Sequence, residues 1–152
     1  MNLSEYIQFF KDFAKTDPDL LHVDGTNEAV YSLEYSEAVT LLRNITDRMV
    51  LLIPPYGKHV RHNNAMGNVW LKEGVIFAVG YASIDDHQGR IDIQNKAEEI
   101  LDRLYRHMFH KRNTGELYGF DPTDWESDSI GPVGENHYGY FAEFAIKDGV
   151  QL

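Results

Sequence analysis

Histidines and clustered carboxylates are the residues of this 152-residue chain with the widest chemical reach, and the chain has seven histidines. His107 and His110 stand three apart in a helical stretch, and His59 and His62 repeat that spacing in a polar segment. Two imidazoles so placed can share a ligand, but zinc wants a third protein ligand and partners that orient the rings. No HExxH or other paired-ligand pattern supplies them. Asp85-Asp86 and the run Asp121, Asp124, Glu126, Asp128 offer oxygens for Mg²⁺ or Ca²⁺, or for an acid/base pair. The longer run lacks EF-hand spacing, and acidic runs are more often solvated faces. There is no cysteine and no GxSxG, and Gly131-Pro132-Val133-Gly134 is not a phosphate-binding loop that opens a helix. The expectation is therefore no enzyme, no cofactor, and no catalytic or metal-binding residues. A metal-dependent hydrolase using His59, His62 and nearby carboxylates is the alternative reading.

The elements that would position these groups can be read from periodicity. Residues 3–15 place Leu3, Tyr6, Ile7, Phe10, Phe13 and Ala14 at helical spacing, with Ser4 as the expected cap and Asp17-Pro18 as the stop. Phe9 widens that aromatic face. Residues 29–33 read as a short strand and 35–44 as a second helix. The apolar run 49–53 reads as a central strand covered on both faces. Residues 56–68 read as a long polar loop that projects beyond the sheet. The strand after it puts Val69, Leu71, Val75, Phe77, Val79 and Tyr81 on one face, with a bulge or bend expected at Glu73-Gly74.

Residues 93–109 give the clearest helix, on a stripe of Ile93, Ala97, Ile100, Leu101, Leu104 and Met108. An acidic, aromatic stretch follows, with Trp125 expected in a strand. A Gly/Pro/Asn turn then opens the last strand, with Tyr138, Tyr140, Ala142, Phe144 and Ile146 on one face. The predicted architecture is one α+β domain, residues 1–152: a single antiparallel or mixed sheet with helices packed mainly on one face.

The formal net charge of −10 argues against a protein whose affinity rests on phosphate contacts. The local cluster of Arg103, Arg106, His107, His110, Lys111 and Arg112 ends a helix, where cations complement the dipole. No apolar run approaches membrane-spanning length, and the start of the chain lacks a signal-peptide pattern. An intracellular product with no membrane association is expected.

Several segments together resemble one family. Tyr6-Ile7-Gln8-Phe9-Phe10-Lys11-Asp12-Phe13-Ala14 and Leu20-Leu21-His22 resemble its opening helix and exit. The long helix, Gly131-Pro132, Asn136, Tyr138-Gly139 and Glu143-Phe144 continue the layout. Over nearly its whole length the chain resembles the tail-terminator or tail-completion proteins of tailed bacteriophages and phage-like particles. More specifically, it looks like the versions found in phages and prophages of Bacteroidetes-type hosts. The resemblance implies an α+β subunit that self-associates into a ring, commonly a hexamer, at the head-proximal end of the tail. Such a ring ends tail-tube assembly and docks to neck proteins. It implies no catalytic residues, no tight nucleic-acid binding although DNA passes through, and a path from host-cell cytoplasm to virion tail.

The polar segment with His59 and His62 and the acidic stretch match no family element. Subunit or partner contacts are expected at Phe9 and Phe13, at Lys58, His59, Arg61 and His62, and at Asp124, Trp125, Glu126 and Asp128. A protein-binding adaptor working through the Phe9/Phe13 face is a further alternative.

Overall fold

The computed structural model describes residues 1–63, 67–117 and 119–149. In chain order the elements are α1 (Leu3–Thr16), β1 (Val30–Tyr31), α2 (Tyr35–Leu42), β2 (Val50–Leu52), β3 (Gly57–Asn63) and β4 (Gly67–Tyr81). They continue with α3 (His87–Asn113), a 3-10 turn (Pro122–Asp124), β5 (Glu126–Val133) and β6 (His137–Gly149). The class is α+β, as expected. One mixed sheet runs β1-β2-β4-β6-β5, and β3 pairs with β4 as well. Among the described residues only β1 and β2 pair in parallel, joined through α2, since parallel neighbours need a crossover.

The helices divide between the two faces of the sheet. Tyr6, Phe10 and Phe13 of α1 and Ile100, Leu104 and Met108 of α3 bury against Ile76, Ala78, Ala142, Phe144 and Ile146. On the other face, Ala38 and Leu42 of α2, with Ile45, pack on Val50, Leu52, Val79 and Val133. The strand period of two explains the split, because neighbouring residues point to opposite sides. β2 is accordingly buried throughout, as its unbroken apolar run predicts.

Four local expectations are corrected. Asn2, not Ser4, caps α1: its side chain accepts from the Glu5 amide at 2.9 Å, and Glu5 reaches back to the Asn2 amide at 2.8 Å. This reciprocal pair satisfies two amides that a lone serine would leave open. α3 begins at His87, where Asp86 accepts from the Gly89 amide, well before the buried stripe starts. Residues 57–63 form a strand rather than a loop, paired antiparallel with β4 from Gly57↔Glu73 to Asn63↔Gly67. Residues 64–66 of the expected loop lie outside the described residues. Finally, the β4/β6 register runs unshifted through Glu73 and Gly74, and the irregularity falls in β5 between Ile130 and Val133.

Gly74 has a different role from the expected bulge. A Cβ there would come within 2.3 Å of the Tyr6 hydroxyl and 2.5 Å of a Phe144 ring carbon. Glycine lets the α1 aromatic ring lie directly on the sheet. In the same seat the buried Tyr6 hydroxyl has no hydrogen-bond partner among the described residues, and burial pushes its pKa up.

Candidate functional site

α2 is short and covers only one end of its face of the sheet. Beyond it the register sets two rows of side chains across three strands. Glu126, Glu143 and Val75 form one row, and Asp128, Phe141 and Phe77 form the next. The Phe77 and Phe141 rings are 6.1 Å apart and half-buried, while Glu126, Asp128 and Glu143 are exposed. A shallow depression of about 390 Å³ is lined by Glu126, Ser127, Asp128, Phe141 and Glu143. A second of about 500 Å³ shares Glu143 and extends past Val75 to Asp124.

Glu126 and Glu143 are directly opposed, and like charges so placed repel by roughly 0.2–1 kcal/mol. Among the described residues neither has an ion-pair partner. Asp128 differs, because its side chain accepts from the Ser129 amide at 2.7 Å and so covers a donor on the β5 strand.

The structure thus splits the acidic stretch that sequence reading treats as one. Glu126 and Asp128 share the open face, and exposed Asp124 stands at the edge of the second depression. Trp125 precedes β5 instead of lying in a strand, and its ring turns to the α1/α3 side. There it packs 5.4 Å from Tyr105 and 6.0 Å from Phe144. Asp121 is held by Lys147 at 2.7 Å and by Thr123, and these hydrogen bonds keep its carboxyl well below the usual carboxylate range. It ties the 3-10 turn to β6.

Phe9 and Phe13 also serve the domain itself. Phe13 is buried and Phe9 half-buried, each with its ring 5.4 Å from that of His107. Burial is the main cause that lowers the His107 pKa, aided by the charges of Lys111 and His110. His107 therefore acts as a packing imidazole, and His110 is exposed at the helix end.

Lys58, His59, Arg61 and His62 all fall on β3, opposite Lys72, Leu71, Val69 and Asn68 respectively. Lys58 is exposed; the side chains of His59, Arg61 and His62 lie outside the described residues. Strand positions three apart alternate sides, so β3 does not provide the shared-ligand spacing expected of His59 and His62 in a loop. β3 carries Lys58 and Arg61 and no carboxylate. Among the described residues no strand pairs with its outer edge.

One mixed cluster escaped sequence reading: buried His22 with Asp24 and Glu28 around a turn. Its hydrogen bonds argue for a structural role. Nδ1 of His22 accepts from the Ala29 amide at 3.0 Å, so Nε2 carries the proton and donates to Asp24 at 2.8 Å. A cation at Nε2 would have to displace that proton from a ring whose other nitrogen is already accepting. Asn27 completes the knot by donating to the Leu20 and Leu21 carbonyls. The only advance signal was a histidine next to the turn-forming Asp24-Gly25-Thr26-Asn27.

Comparison with protein-family models, characterised proteins and solved structures finds no match to this chain. Among the described residues no helix is long and apolar enough to cross a membrane.

Proposed function

We propose that this chain is a structural subunit of a phage or phage-like tail. It forms a ring, of hexameric order in the family it resembles, at the head-proximal end of the tail tube, where it ends tube assembly and docks to the neck. The observation that carries this reading is that one subunit presents two different surfaces, the open acidic sheet face and the outer edge of β3, with which no described strand pairs. A ring closed by head-to-tail contacts needs two different surfaces that complement each other. The α1/α3 face is buried in one continuous apolar cluster, so it holds the subunit's shape while the other surfaces are offered to neighbours. A strongly acidic subunit also suits a passage for DNA, which attraction would hold in place.

Light scattering across a wide concentration range, with electron microscopy of the particles, tests the proposal. Closed rings of one size that cap growing tail tubes are the expected result. A monomer at every concentration, which no tail-tube or neck protein recruits, would sink it.

A further inference from the structure

Resting on that ring reading, we infer that the subunit joint is made by the last two turns of α3 of one copy seated on the open β5–β6 face of the next. Those turns present Phe109, 39% exposed, with exposed Arg106 and Arg112 three residues before and after it. A spacing of three on a helix puts each arginine beside the ring. From Arg103 to Asn113 the helix has no carboxylate. Arg103 is already taken by Asp17 and Asp19, and Lys111 by Glu116. Among the described residues Arg106 and Arg112 have no ion-pair partner. The Phe109 ring is also held in place, stacked 6.3 Å from Tyr105, which packs in turn on Phe120 and Trp125. An aromatic side chain fixed in this way loses little freedom on docking, and aromatics and arginines make strong interface anchors.

The open face has the complementary layout. Its depression of about 390 Å³ is lined by Phe141 together with Glu126, Asp128 and Glu143, and the half-buried Phe77 ring lies 6.1 Å from that of Phe141. Ring therefore meets ring, and cations meet carboxylates. The Glu126/Glu143 row and the Asp128 row are about 7 Å apart along the strands, from two residues of rise. Arg106 and Arg112 are about 9 Å apart along the helix axis, a difference that two long side chains absorb. A guanidinium between Glu126 and Glu143 replaces their repulsion with charge-assisted hydrogen bonds, and covering the rings removes apolar area from water.

α3 packs on one face of the sheet, and the depression opens on the other. Each copy therefore gives one surface and receives the other, the arrangement that closes into a ring when the rotation permits. Opposite charge at such a joint sets orientation and penalises the pairing of two acidic faces. The outer edge of β3 takes no part in it.

A charge-swap experiment on the full chain tests the joint. One variant carries Glu126→Lys and Glu143→Lys, and a second carries Arg106→Glu and Arg112→Glu. Sedimentation and light scattering are read for wild type, each variant alone, and an equimolar mixture. Each variant alone should associate at least about tenfold more weakly than wild type, because its two surfaces then have the same sign. The mixture should recover particles of wild-type mass, since the two variants can alternate around a ring of even order. Phe109→Ala, at a half-exposed position, should also weaken association about tenfold or more.

Circular dichroism melts verify folding, and the neutral Glu126→Gln, Glu143→Gln or Arg106→Gln, Arg112→Gln protein replaces a reversed variant that unfolds; it should lose part of the assembly. If wild type forms rings and either reversed variant does so equally well, the joint is wrong while the ring stands. Failure of the mixture to recover assembly also overturns the joint. A wild type that stays monomeric, and that no tail-tube or neck protein recruits, overturns the ring reading itself. Binding of a basic tail protein to the acidic face, with self-assembly unchanged by the reversals, would assign the face to that partner instead.

Discussion

On the α1/α3 side of the sheet, Tyr6, Phe10, Phe120 and Phe144 are at most 3% exposed. Across the same strands, Phe77 and Phe141 keep part of their surface in water beside exposed carboxylates. One side is closed by two helices and a continuous aromatic cluster, and the other is closed by one short helix at one end only. The first side accounts for most of the apolar area removed from water and so for most of the fold's stability. The second side was left with charges that lower stability slightly and therefore serve something other than folding.

The largest test of this contrast compares ring truncations on the two sides. Phe10→Ala should cost about 3–5 kcal/mol in urea unfolding, whereas Phe141→Ala should cost less than about half of that. Equal losses would erase the distinction. Next in size is Gly74→Ala, whose new methyl must push Tyr6 or Phe144 aside at an expected cost of about 1–3 kcal/mol. An unchanged denaturation midpoint would mean that the helix does not lie as close to the sheet as described. A smaller change of opposite sign is expected on the open face: Glu126→Gln should raise stability by roughly 0.2–1 kcal/mol. Loss of stability there would show that the carboxylate is held by a partner inside the subunit.

The last prediction concerns pH and involves both sides. Burial lowers the pKa of His107 under α1, and of His137, whose Nε2 donates to the Ile45 carbonyl at 2.7 Å on the α2 side. The unfolded chain binds these protons near pH 6.5, before the folded chain does. Stability should therefore be fully present above that pH and fall as pH drops through it, levelling off below the folded pKa values. In melts from pH 7.5 to 5, His107→Phe should flatten part of this slope. A slope that steepens would reverse the sign of the burial effect.

Some of this was legible before any coordinates. The alternation of β6 and the stripe of α3 each repeat at a period that reports which side is buried, and the unbroken apolar run of β2 reports burial on both faces. β3 was not legible, because Lys58, His59, Arg61 and His62 carry no apolar alternation and the pairing is supplied by β4. The first turns of α3 were missed for a related reason: they are held by the Asp86 cap, while Ile91 remains exposed. Within the candidate site, Glu126 and Asp128 were visible as part of an acidic run. Glu143 was visible only as a member of an aromatic strand.

Local chemistry alone decided which segments are helices and apolar strands, since caps, stops and periodicities act within a few residues. It also decided the excess negative charge and the cation-rich composition of residues 57–63. Strand order and register decided the rest. They set Glu126 against Glu143, turned Trp125 away to the core, and placed β3 across the sheet from β5. Those relations depend on where distant parts of the chain meet, and that meeting is settled by burial of the shared aromatic core rather than by any segment's own pattern.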